Sequence, residues 1–132
     1  MVDLDTAKPG LLHYVIGDVL RSGCNRAGDE TTDFDAVRFD LDLAAAMLRG
    51  YLLEAGAVLS DHDVEYLWDA IRLLPFELGL RFLTDDLEGD VSFKVSRPRH
   101  NLGRALVQFR LTESIEAQEA EIRALIHALC SR

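Results

Sequence analysis

Two carboxylates two residues apart, Asp3 and Asp5, stand in the lead Val2-Asp3-Leu4-Asp5-Thr6-Ala7-Lys8-Pro9-Gly10. Magnesium is held by one or two carboxylates, several waters and substrate phosphate oxygens, so this pair can be a protein's share of a phosphoryl-transfer site. The bland alternative is that both acids cap and solubilise a loose terminus. The chain leaves no room before Asp3 for the strand, phosphate loop or catalytic base that would complete such a site. A second pair with chemistry in it is Glu77 and Arg81, four residues apart in an otherwise apolar run and so on one helical face. They either pair with each other, or Arg81 turns its planar donor fork toward sugar hydroxyls or phosphate oxygens.

Other charged residues are less specific. Lys94, Arg97, Arg99, His100 and Arg104 gather in one place and read as a solvated loop with room for a local anion contact. Asp29, Glu30, Asp33 and Asp35 lack the alternate oxygen ligands, central Gly and closing Glu of a calcium loop. Cys24 and Cys130 are far apart, with no CxxC pairing and no nearby His at zinc-ligand spacing, so neither a disulfide framework nor a structural metal is expected.

These residues have to be positioned by helices. Leu12, Ile16, Val19 and Leu20 recur at helical intervals, predicting a helix over 11–22 in which Asp18 is either exposed or buried against backbone donors. A polar, Gly-containing loop follows from Gly23 to Asp35. Asp40 is a good N-cap for an apolar stripe from Leu41 to Ala55, with Gly56 as the stop. Ser60 opens another helix, with Asp63 in a variant of the capping box. Pro75 then implies one kinked helix or two helices meeting near Leu74. Glu88-Gly89-Asp90 is turn chemistry, and Val91 to Val95 alternates like a very short extended segment. Asn101 is a plausible cap for a last amphipathic helix, bent near Thr112.

A chain of 132 residues, 48% of them hydrophobic, fits one domain with a real core, and the pattern is mainly α. The net charge of −9 argues against broad contact with nucleic-acid phosphates. No secretory lead and no membrane span are apparent, so a soluble, cytoplasmic protein is expected.

Taken in order, Val2-Asp3-Leu4-Asp5-Thr6 with Pro9-Gly10, Tyr14 with Gly17-Asp18-Val19-Leu20-Arg21, Arg49-Gly50-Tyr51-Leu52, Phe76 to Asp85 with Gly89-Asp90 and Phe93-Lys94, and His100-Asn101-Leu102 resemble one family. The chain is similar to the C-terminal half of N-acetylhexosamine 1-kinases, within the aminoglycoside-phosphotransferase-like kinases. That resemblance implies the helical C-terminal subdomain of a protein-kinase-like fold, residues 1–10 being a remnant of the metal loop, 11–132 the helical subdomain, and the N-lobe absent. It assigns Asp3 as the Mg²⁺ ligand, Asp18 as a buried aspartate bracing the catalytic loop, and Arg81 as a substrate contact; Glu77 stays structural. Asp3-Leu4-Asp5-Thr6 is also similar to the acid pair of haloacid-dehalogenase-like phosphatases, but the Thr arrives one residue early and no β/α alternation follows.

The departures shape the functional expectation. Val15 stands where the family usually has a second aspartate, and Ser92 where an aromatic Tyr lines the sugar pocket. Neither the nucleotide-holding lysine and glutamate nor the catalytic loop is found, so no catalytic residue is assigned. ATP is not expected to bind this chain alone, and Mg²⁺ only in an intact kinase. The expectation is the substrate-side fragment of a sugar or amino-alcohol phosphotransferase, inactive alone and meeting its small-molecule substrate only when a missing N-lobe completes it. The alternative is a free-standing helical interaction module, with self-association through surface the lost lobe would have covered.

Overall fold

The computed structural model describes residues 12–56 and 59–130, which form five α-helices and no β-strand. They are α1 (Leu12–Gly23), α2 (Leu41–Ala55), α3 (Asp61–Glu88), α4 (His100–Ala117) and α5 (Glu119–Cys130), with a 3₁₀ turn at Phe34–Ala36. The architecture is mainly α, as the periodicity predicts. No described helix is long and apolar enough to cross a membrane.

α3, 28 residues long, is the axis of the molecule, with α1 and α4 packed along it. α2 joins α1, and α5 folds back against α2, α3 and α4. Ile16 and Leu20 from α1, Leu48 from α2, Leu67 and Ile71 from α3, Leu111 and Ile115 from α4, and Ile122 from α5 meet in one core. Burying this apolar surface is what holds the five helices together, since isolated helices of most of these lengths are marginal in water. Gly17 allows the close crossing of α1 and α3: a Cβ there would lie 2.9 Å from Leu74 Cδ1 and 3.1 Å from the Ala70 backbone.

The local signals govern the helix ends. Asp40 caps α2 by accepting from the Leu43 amide at 2.9 Å, and also pairs with Arg26. Ser60 and Asp63 form the full capping box of α3, and Asp63 is wholly buried with His13 Nδ1 at 3.0 Å. Of the two readings at Pro75, the single helix is the observed one: the residue is buried mid-helix, and its missing N–H withdraws the helical donor of the Ile71 carbonyl.

Three expectations are corrected. Val91 to Val95 forms bends and irregular chain instead of a strand, because the described residues hold no strand to pair with it. α4 starts at His100, with Arg99 at the cap position in a left-handed conformation (φ 56°), so Asn101 is inside the helix and buried instead of capping it. The C-terminal helix breaks at Gln118 and not near Thr112; the Thr112 hydroxyl donates to the Gln108 carbonyl within an unbroken α4.

Candidate functional site

The end of α3 and the reversal that follows it form the most developed polar site. Gly89 (φ 92°) and Asp90 (φ 64°) both adopt left-handed backbone, and this turns the chain back beside the helix it has just left. The returning amides of Ser92 and Phe93 donate to the two oxygens of Asp85 at 2.7 and 3.0 Å. Asn101 Nδ2 donates to Asp85 Oδ2 at 2.7 Å and to Asp90 Oδ1 at 3.1 Å. Burial pushes the Asp85 carboxyl up, but these donors outweigh it and hold it below the ordinary carboxylate value. One buried acid therefore fixes the start of the 89–99 loop on both α3 and α4.

The rest of the loop is held by Arg104, His100 and Glu30. Arg104 donates from Nη1 to the Lys94 carbonyl at 2.8 Å and to Asn101 Oδ1 at 2.9 Å, and from Nε to Glu30 at 2.9 Å. Its guanidinium also lies 5.7 Å from the centre of the Phe82 ring, which packs in turn on Phe93. His100 Nε2 meets the same Glu30 carboxylate at 2.6 Å, while its Nδ1 faces the Ser96 amide at 3.1 Å. Burial raises Glu30, but His100 and Arg104 together hold it below its usual value. Next to it, Asp29 takes Arg21 of α1 at 3.1 Å and Gln108 of α4 at 3.1 Å, so the loop after α1 is clasped by two consecutive acids.

Outside this clasp lies an open depression of about 400 Å³ lined by Leu80, Arg81, Thr84, Asp85, Glu88, Ser92 and Phe93. Arg81 is exposed on its rim, and no described residue takes its guanidinium in a hydrogen bond or ion pair. With Thr84 and Ser92 hydroxyls, a Glu88 carboxylate and the Phe93 ring beside it, the depression offers donors, acceptors and one apolar face. Such a lining suits a polyhydroxylated ring or a compact polar molecule.

Glu77 does not pair with Arg81. It accepts a 3.0 Å hydrogen bond from the Tyr14 hydroxyl of α1 instead, which leaves Arg81 available to the depression. Burial, with the Glu77 carboxylate, raises Tyr14 above its ordinary value, against the opposing charge of Arg81. Asp18 is not buried either: its side chain is 49% exposed and accepts from Arg21 Nε at 3.0 Å. An acid with an adjacent cation and open water has no need of the backbone donors a buried one requires. Asp3 lies outside the described residues. Among the described residues no group of three or more His, Cys, Asp or Glu is arranged to hold a metal ion.

Asp85, Asn101 and Glu30 carry the site without standing out in the sequence. The basic run read as a solvated loop is largely neutralised, since Arg99 forks onto Asp86 at 2.8 to 3.0 Å and Arg104 and His100 share Glu30. A usable signal was present: Asp85 is an acid on the apolar side of a helix, four residues before a Gly turn that returns free amides to it. No protein-family model matches the chain.

Proposed function

We propose that the chain is the acceptor-binding, helical part of an ATP-dependent small-molecule phosphotransferase acting on a sugar or amino alcohol, and that it is inactive without a nucleotide-binding lobe. The observation that carries this reading is the exposed Arg81, with no ion-pair partner among the described residues, on the rim of the depression with Thr84, Glu88, Ser92 and Phe93. The motif order from Asp3 to Asn101 supports it. Arg81 would orient acceptor hydroxyls with its donor fork, Phe93 would cover one apolar ring face, and Ser92 leaves the pocket wider than an aromatic residue would. Mg²⁺, with Asp3 as its ligand, would supply neutralisation of phosphate charge in the complete enzyme. Positioning and charge stabilisation make up most of phosphoryl transfer, so one wall of the acceptor site does not achieve it.

The test is an NMR titration of the 132-residue chain with N-acetylglucosamine and with ethanolamine, together with an ATP assay. One of the two probes should give saturable shifts at Thr84, Ser92 and Phe93, weakened about tenfold or more in Arg81→Ala, as expected for losing a hydrogen bond to a charged group. No phosphorylated product should form. Turnover by this chain alone, or binding indifferent to Arg81→Ala, would refute the assignment.

A second reading, a helical interaction module, is favoured by the apolar side chains left at the surface. Tyr14 of α1, Leu73, Phe76 and Leu80 of α3 and Leu106 of α4 are each 38 to 45% exposed.

A further inference from the structure

The hydrogen-bonding pattern of His100 allows it one protonation state without loss. Its side chain is 6% exposed, and both ring nitrogens are engaged: Nδ1 with the Ser96 N–H at 3.1 Å, Nε2 with Glu30 at 2.6 Å. A backbone N–H can only donate, so Nδ1 must present its lone pair and Nε2 must carry the proton toward Glu30. The neutral ring satisfies both partners. A second proton has only Nδ1 to go to, where it would confront the Ser96 N–H and break that bond.

The surroundings direct the cost of protonation to Ser96. Glu30, from the loop after α1, accepts from the neutral ring and more strongly from a charged one, so it draws the second proton to the ring while the cost falls on the Ser96 bond; its own carboxyl is held below the ordinary range. Arg104 of α4 sits on the same carboxylate and opposes a second positive charge beside it. From α3, Asp86 is occupied by Arg99 and Asp85 by Asn101 and the loop amides, so neither compensates. Asp90 is taken by Asn101, and Lys94 and Arg97 of the loop itself are exposed cations.

We propose that His100 is a pH-sensitive latch on the 89–99 loop: the neutral ring holds Ser96 down on α4, and protonation at Nδ1 releases it, while Arg97 and Arg99 stay tied to the His100 amide and to Asp86. The release has a defined boundary. Ser92 and Phe93 remain held by Asp85 and the Lys94 carbonyl by Arg104, so the opening is confined to Val95 and Ser96 and does not reach the wall of the depression. The Ser96 hydroxyl, 3.5 Å from Nδ1, is the acceptor that the described residues place near enough to take the new proton, and it tempers the release.

The experiment is amide hydrogen exchange on the full chain, followed by NMR from pH 8 to pH 5, the interval in which imidazole side chains change charge. Exchange rates are corrected for their intrinsic pH dependence, and the His100 ring nitrogens are read in the same samples. At pH 8 the ring should show the Nε2–H tautomer. As His100 charges, protection of the Ser96 amide should fall about tenfold, the loss expected for one hydrogen bond, while Ser92 and Phe93 keep theirs. In His100→Asn, whose side-chain oxygen can accept from Ser96 but does not titrate, protection should not depend on pH. In Ser96→Ala the pH-linked loss should grow. A Ser96 amide that stays protected down to pH 5 would overturn the latch, whatever the state of the ring, as would the same pH dependence in His100→Asn. The readout is the loop's own amides and needs no acceptor, so it stands or falls separately from the reading of the depression.

Discussion

Asp85 and Asp63 show how one residue's environment becomes a property of the protein. Each is a buried carboxylate surrounded by donors, the loop amides and Asn101 for Asp85, His13 and Ser60 for Asp63, and each is held below the ordinary carboxylate value although burial pushes it up. Their folded-state values thus lie below an unfolded value near ~3.9. The sign follows: the stabilisation is complete above about pH 4 and is lost as pH falls through the folded-state values. Urea midpoints measured between pH 6 and pH 2 should stay level and then drop in acid, and Asp85→Asn should show a lower midpoint at pH 6 and a shallower acid drop. Cys24 behaves in the opposite sense: burial, with the nearby Asp40 charge, pushes its thiol up to about 12. It is fully buried against Met47, so thiolate chemistry is suppressed twice over. A thiol reagent at pH 8 should leave Cys24 of a Cys130→Ser variant unmodified until urea unfolds it; rapid labelling of the native variant would contradict that packing.

At the scale of elements, two glycines in helices separate helix propensity from packing. Gly17 is in α1 where it crosses α3, and an added Cβ would meet Leu74, the Ala70 Cβ and the Ala70 backbone at 2.9 to 3.1 Å. Gly103 is in the first turn of α4 with nothing within 4 Å of such a Cβ. Gly103→Ala should therefore stabilise by up to roughly 1 kcal/mol through propensity alone. Gly17→Ala should destabilise by about 1–3 kcal/mol, because backbone cannot move aside and the helices must separate. Chemical denaturation of the two variants decides this, and a stabilised Gly17→Ala would mean that α1 and α3 are less closely packed than described. The caps are the element-scale features that could be read directly: Asp40, Ser60 with Asp63, and Gly89 act within a few residues of themselves, so local sequence suffices. Pro75 is the opposite case. Its local preference is to break a helix, and the burial of Leu67, Ile71, Leu74 and Pro75 along α3 outweighs that preference.

At the scale of the whole molecule, the three-helix layer of α1, α3 and α4 leaves Tyr14, Leu73, Phe76, Leu80 and Leu106 partly exposed. If the module reading holds, sedimentation should show self-association that weakens when Phe76→Ser and Leu80→Ser are combined. A strict monomer at high concentration, with no bound partner, speaks for the acceptor-site reading alone. The core itself predicts ordinary cavity behaviour: Leu111, fully buried in α4, should cost about 2–5 kcal/mol when changed to Ala.

The sequence by itself determined the mainly helical class, most helix ends and the chemical suspicion attached to Arg81, because periodicity, caps and turn residues act over a few positions. Only the tertiary structure decided which charges meet. Asn101 reaches Asp85 across 16 positions, Glu30 reaches His100 across 70 and Arg104 across 74, and Tyr14 takes Glu77 across 63. No local pattern encodes such pairings, since each depends on how α1, α3 and α4 cross. The same crossing sends Glu77 to Tyr14, leaves Asp18 half in water, and turns a run of basic residues into the clasp of a pocket loop.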